Sequence, residues 1–212
     1  MPFPPLDNRQ ASLFGEADPV LPPGMRYQPA FLSPADEAEL LRRVEALPLE
    51  AMRYREYTAR REVLSFGASY DFSAGRLQPA PALPAALRPL RARVAQWLGL
   101  PEAALADALV ARYRPGTPLG WHRDVPDFED VVGVSLGAPA WMRFRPWPPQ
   151  APRRADMHKL LVAPRSIYLL RGPARWQWQH SVAPVAELRY SLTFRTRRAG
   201  AGAAREAAGP EE

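Results

Sequence analysis

Apolar positions recur at helical spacing in the first half of the chain and at strand spacing in the second. Leu40, Leu41, Val44 and Leu47 form one stripe of a helix. Ser33-Pro34-Ala35-Asp36 supplies its start, with serine as the cap, proline in the first turn and an acid at the third position. This pattern predicts a helix from Ser33 to about Leu47. Leu87, Leu90, Val94 and Trp97 repeat the stripe and predict a second helix over 86–98, with Pro89 still inside its first turn. From Ala108 the period shortens. Runs of strand character at 108–114, 131–136, 140–145, 158–163, 166–171, 177–182 and 188–196 lie between Gly and Pro turns. Seven short strands in this order predict a sandwich or barrel.

Composition sets the outer limits. With 212 residues and 47% hydrophobic content the chain can bury one substantial core, so one domain is expected over 26–196. Residues 1–25 are Pro-rich with little periodicity and read as an extended or disordered N-terminal arm; 197–212, rich in Ala, Gly and charge, read as a disordered tail. No twenty-residue apolar run and no charged-then-apolar leader occurs, which predicts neither a membrane span nor a signal peptide. The absence of cysteine excludes disulfides and thiolate metal sites and fits a cytoplasmic protein. The formal charge is +6, and Lys159 is the only lysine among 28 basic residues. A basic surface favours phosphate backbones. Abundant Arg, Ala and Pro are also what a GC-rich genome encodes, so the charge alone selects no partner.

The candidate chemistry is concentrated in few residues. Of three histidines, two are His122, within Trp121-His122-Arg123-Asp124, and His180. Side chains two apart on a strand share a face, so His122 and Asp124 can reach one metal while Arg123 turns away. Two imidazoles and one carboxylate with open positions make the ligand set of a non-haem Fe(II) oxygenase. In Arg175-Trp-Gln-Trp-Gln-His180 the same alternation places Trp176 and Trp178 beside His180 as an apolar wall. Arg189, Ser191, Thr193 and Arg195 likewise share a face. At about 3.3 Å per residue the two arginine backbones stand about 20 Å apart, and side chains leaning inward leave on the order of 7 Å, room for a short dicarboxylate.

Together, Tyr113-Arg-Pro-Gly116, Trp121-His-Arg-Asp124, Val134-Ser-Leu-Gly137, Arg175-Trp-Gln-Trp-Gln-His180 and Arg189-Tyr-Ser-Leu-Thr-Phe-Arg195 resemble the AlkB-type 2-oxoglutarate- and Fe(II)-dependent dioxygenases. The resemblance spans about 60–196. It implies a mostly β fold with flanking helices (α+β), its core a double-stranded β-helix of jelly-roll type over 108–196. It implies His122, Asp124 and His180 as catalytic iron ligands, with Fe(II), 2-oxoglutarate and O2 as cofactor and cosubstrates. It also implies Arg189 as partner of the distal carboxylate of 2-oxoglutarate, Arg195 near its chelating end and Tyr113 as a hydrogen-bond partner. Many members carry Asn two residues before that tyrosine. Ala111 stands there in this chain, so one polar contact is lost or supplied from elsewhere.

Residues 60–78 resemble the nucleotide-recognition segment of the same family. This makes Phe66 and Tyr70 candidates to hold a flipped base against the His122 ring, and Arg60 and Arg61 candidates for phosphate contacts. Ordinary strand packing is the competing reading for the aromatics, and solvation for the arginines. The activity implied is oxidative demethylation of alkylated bases in DNA or RNA, by a monomer with no membrane or protein partner. The alternatives are a same-class oxygenase with a protein, lipid-like or small-molecule substrate, and a non-catalytic nucleic-acid-binding module. His158 is expected at the surface, the tryptophans 121, 141, 147, 176 and 178 in the core, and Glu129 and Asp130 in a solvated loop.

Overall fold

In the computed structural model residues 19–54, 57–149 and 157–199 are described; most of the expected N-terminal arm and of the expected tail lies outside them. Ser33 caps the first helix, α1 (Pro34–Glu45), through a reciprocal box: Ser33 Oγ accepts from the Asp36 amide and the Ser33 amide donates to Asp36 Oδ2, each at 3.1 Å. The second, α2 (Arg88–Leu98), follows a 3-10 turn at Ala85–Leu87, so it begins two residues later than its stripe predicts. Gly99 ends it at φ 70°, a left-handed conformation that favours glycine.

The strands are β1 (Met25–Gln28), β2 (Glu50–Tyr54), β3 (Tyr57–Phe66), β4 (Ala68–Asp71), β5 (Arg76–Pro79), β6 (Asp107–Tyr113), β7 (Leu119–His122), β8 (Phe128–Gly137), β9 (Ala140–Pro146), β10 (His158–Val162), β11 (Ile167–Leu170), β12 (Trp178–Val182) and β13 (Arg189–Arg197). They form a seven-stranded sheet in the order β1-β11-β8-β13-β6-β3-β2 and a four-stranded sheet in the order β10-β9-β12-β7, with β4 and β5 as a separate hairpin. All pairs are antiparallel. This is a jelly-roll core with helices on one side, the fold class the resemblance implies.

Alternation decides which side each residue serves. Val132, Val134, Leu136, Leu192 and Phe194 pack with Leu40, Val44, Leu90 and Val94 of the helices. Their neighbours Val131, Ser191, Thr193 and Arg195 face the other way, into a cleft toward the four-stranded sheet. Met142, Phe144, Leu160 and Val162 of the small sheet close its far end, packed with Val131 and Leu170.

Three expectations are corrected. Strand β8 begins at Phe128, so Glu129 and Asp130 are not a solvated loop. Asp130 is buried and accepts from Arg171 Nε at 2.9 Å and Nη2 at 2.6 Å, while Glu129 accepts from Trp176 Nε1 at 3.0 Å. Trp141 and Trp147 are not core residues, with 50% and 40% of their surface exposed, because the register of β9 turns Trp141 outward while Met142 and Phe144 take the inward positions. His158 is half-buried, its ring 5.0 Å from that of Trp178.

Candidate functional site

The cleft between the sheets has a volume of about 880 Å³ and is lined by His122, Asp124, His180, Tyr113, Arg189 and Arg195, among others. His122 ends β7, and His180 on β12 is its direct cross-strand partner, with ring centroids 4.2 Å apart. Asp124 lies two residues past the end of β7, with Oδ2 3.7 Å from His180 Nε2. One ligating atom from each residue falls within 4.8 Å of the others. The loop that presents Asp124 is fixed from below by Arg175, a buried side chain whose Nη2 donates to the carbonyls of Asp124, Val125 and Phe128 at 3.1, 2.7 and 2.9 Å.

The protonation states suit a cation. Burial pushes both imidazoles toward their neutral form, His180 down to about 3, where the neighbouring His122 adds to the effect. Burial alone would raise the Asp124 carboxyl, but its interactions with the His180 and His122 rings and with the Arg195 and Arg175 charges outweigh it and hold the group far below the usual carboxylate range. His122 Nδ1 donates to the Gly120 carbonyl at 2.9 Å, which leaves Nε2 as the lone pair. Asp124 Oδ2 is buried with no hydrogen-bond partner among the described residues. Metal–ligand bonds of about 2.1 Å can span the 3.7 Å between Asp124 and His180. The residues therefore fit a 2-His-1-carboxylate iron centre.

Beside it the cleft is lined by arginine. Arg189 is 2% exposed; its Nε donates to Ser135 Oγ at 3.1 Å, and its Nη1 is buried with no hydrogen-bond partner among the described residues. A buried guanidinium without a carboxylate is costly unless a ligand supplies the charge. Its Cζ stands 5.1 Å from the centre of the buried Tyr113 ring, which fixes the direction of the fork. Arg195 lies over Phe128 at 4.9 Å, with its Nε also buried and unpartnered. Two cations facing one cleft suit the two ends of a dicarboxylate.

Sequence reasoning missed Tyr168. It sits on β11 directly opposite Gly133 of β8, and a Cβ at position 133 would come within 2.3 to 2.4 Å of the phenol end of its ring. The glycine thus lets the ring lie across the sheet, where its hydroxyl comes beside Ser191, with Arg189 and Tyr113 close by. Ser191 is in turn the cross-strand neighbour of Ala111. Burial pushes the Tyr168 phenol up to about 12, so it remains a hydrogen-bond donor. An apolar run such as Ile167–Leu170 gives no sign of this. Only the pairing with a glycine reveals it.

On the outer wall, Arg61 and Tyr70 line the cleft together with Phe72, whose ring lies edge-on to Tyr70 at 5.0 Å. Phe66 does not join them. Alternation along β3 turns Arg61, Val63 and Ser65 to the cleft and sends Phe66 into the helix-side core, at 4% exposure. Arg60 is exposed. The expected tryptophan wall is also corrected. Residues Pro173–Trp176 form a short helical turn, α3, so Trp176 leaves the alternation, and Trp178 packs with the far-end core; the apolar neighbours of His180 are Phe144 at 6.4 Å, Met142 and Val182.

Residues 24–198 match the 2OG-Fe(II) oxygenase superfamily, and the chain belongs to it. Its resemblance within that superfamily is to the AlkB type. It is 31% identical over 129 residues to the alpha-ketoglutarate-dependent dioxygenase AlkB of Escherichia coli strain K12, covering 56% of this chain and 57% of that protein. It is 31% identical over 103 residues to the uncharacterized protein L905 of Acanthamoeba polyphaga mimivirus, covering 41% of this chain and 46% of that one. The chain thus spans about half the length of the curated relatives it matches. Among solved structures, that of OsALKBH1 superposes with a TM-score of 0.61 at 19% identity, over 84% of this chain and all of that one, a likeness of fold.

Proposed function

We propose that this chain is an Fe(II)- and 2-oxoglutarate-dependent dioxygenase that oxidatively removes N-alkyl groups from bases in DNA or RNA. The observation that carries the reading is the grouping, in one cleft, of His122, Asp124 and the buried His180 with the buried Arg189 and the half-buried Arg195, neither arginine ion-paired to an acid among the described residues. When bound, iron and 2-oxoglutarate supply the oxidation, with O2 consumed and succinate and CO2 released. The chain's own residues do the holding. His122, Asp124 and His180 hold the metal; Arg189 and Tyr113 bind and orient the distal carboxylate of 2-oxoglutarate, and Arg195 faces its chelating end. Met142 and Val182 on the cleft wall, with Phe144 behind the His180 ring, keep water from the metal side. Arg61 and Tyr70 stand on the wall where a base would enter, and Tyr70 offers a ring to stack on it. The absence of cysteine suits a reducing compartment, and we read the protein as a cytoplasmic monomer with nucleic acid as its partner. The test is mass spectrometry of a panel of N-methylated DNA and RNA oligonucleotides incubated with the protein, Fe(II), 2-oxoglutarate and air. Loss of one methylene per lesion supports the reading; unchanged masses across the panel with succinate still formed would transfer the activity to another substrate class.

The Tyr168 hydroxyl, in this reading, supplies the polar contact to 2-oxoglutarate that Ala111 cannot make. Tyr168→Phe is expected to weaken 2-oxoglutarate binding about 10-fold, the value of a hydrogen bond to a charged group, with little change in metal affinity. Isothermal titration with Mn(II) in place of iron reads both. Gly133→Ala drives a methyl into the same ring, an overpacking that costs about 1–3 kcal/mol and should lower Tm as well as 2-oxoglutarate affinity.

A further inference from the structure

The four-stranded sheet has a second face that the metal site does not use. Along β9, Met142 and Phe144 point inward, while Trp141, Arg143 and Arg145 point outward. Lys159 of β10 lies directly opposite Arg143, and the exposed Leu161 opposite Trp141. On the other flank Ser181 and Gln179 of β12 oppose Arg143 and Arg145. Both arginines are held in place by neutral partners: Arg143 Nε donates to Ser181 Oγ at 3.0 Å and Arg145 Nε to Gln179 Oε1 at 2.8 Å. Both guanidinium groups also lie over the Trp121 ring, at 5.3 and 4.5 Å. At the end of this face Arg123 lies over Trp147 at 4.8 Å.

The charge here is of one sign. None of β7, β9, β10 and β12 contains an aspartate or glutamate. Among the described residues no acidic side chain forms an ion pair with Arg123, Arg143, Arg145 or Lys159, whereas arginines elsewhere, such as Arg112, Arg171 and Arg197, have carboxylate partners. Arginine abundance from codon usage would scatter such charges. It does not account for a face whose four strands carry no acid and on which guanidinium groups are oriented by hydrogen bonds and stacked on indole.

We propose that this outer face is a second nucleic-acid contact surface, holding the single-stranded stretch that flanks the base presented to the cleft. The inference rests on the nucleic-acid reading above and extends its footprint. Oriented guanidinium groups meet phosphate oxygens with paired hydrogen bonds, and the exposed indoles of Trp141 and Trp147 are sequence-tolerant stacking platforms for unpaired bases. The route is continuous. Trp121 and Arg123 flank His122 on the edge strand and its following loop, and Gln179 and Ser181 flank His180, so the elements that hold the metal ligands inside carry this surface outside.

The test uses the full chain with R143Q/R145Q/K159Q, a variant that removes the three charges, keeps polar side chains and leaves the cleft residues untouched. Binding of a fluorescent single-stranded 20-mer is measured over a series of salt concentrations, and turnover is compared on a methylated 20-mer and a methylated trinucleotide. Removing three phosphate contacts should lower the slope of log affinity against log salt by about two and weaken low-salt binding by 10-fold or more. The KM for the 20-mer should rise while the trinucleotide is turned over at the wild-type rate. R143K/R145K, which keeps the charge, should retain the slope, and W141A should weaken 20-mer binding without changing it. Wild-type slope and affinity in the triple variant would overturn the proposal while the substrate reading stands. A wild-type chain that binds no oligonucleotide, or binds anionic vesicles in its place, would overturn the substrate reading and this surface with it.

Discussion

Asp124→Ala is expected to end iron-dependent turnover and to leave the fold intact. Loss of a residue that merely orients a metal ligand costs about 10–100-fold, so loss of one of three ligands should exceed that and bring turnover to background. The metal-free protein should not be destabilised by the change. Asp124 Oδ2 is buried without a hydrogen-bond partner among the described residues, so the alanine breaks no hydrogen bond there, and the burial cost of the carboxylate disappears together with the attraction of Arg195 and Arg175 that offsets it. Calorimetric titration with Fe(II) or Mn(II), paired with thermal melting of the metal-free chain, checks both halves. Full activity in the variant would remove Asp124 from the site.

Arg189→Ala should raise the KM for 2-oxoglutarate by between about 10² and several times 10³-fold, the consequence of removing one partner of a buried charge pair worth about 3–5 kcal/mol. Metal binding should survive, because Arg189 has no contact with His122, Asp124 or His180 and is anchored instead by Ser135 and Tyr113. Arg189→Lys should recover little, since an ammonium on a flexible stem cannot donate to Ser135 Oγ as Nε does and also present a planar fork. Steady-state kinetics in 2-oxoglutarate, with kcat and KM separated, reads the effect. A variant that changed kcat alone would contradict the role assigned to Arg189.

What was legible in the sequence depended on signals confined to one strand. Period-two alternation put Arg189, Ser191, Thr193 and Arg195 on one face of β13, and all four line the cleft. The seven strands expected after residue 108 occur within about three residues of their expected ends, and both helices follow their stripes. The orientation of an aromatic relative to a distant layer was not legible. Phe66 follows Arg61 by five residues, and that odd spacing on a strand sends it to the opposite face from the arginine. Trp141 is exposed because β9 presents its alternate residues to solvent, a choice made by register against β10 and β12 rather than by the size of the side chain. Contacts made only by pairing, such as Gly133 beneath Tyr168 or Ser135 against Arg189, leave no local trace. The edge strands β1 and β2 are short and carry little alternation, and β7 has four residues, one of them glycine. The same brevity explains why Asp124, expected on a strand with His122, stands just beyond one.

The most direct test of the account is the release of formaldehyde and succinate from a methylated oligonucleotide, measured together with Fe(II) and 2-oxoglutarate present, for the wild-type chain and for Asp124→Ala. Equal amounts of the two products are expected from the wild type and neither from the variant. Formaldehyde released at the same rate by Asp124→Ala, or released by the wild type without matching succinate, would contradict it.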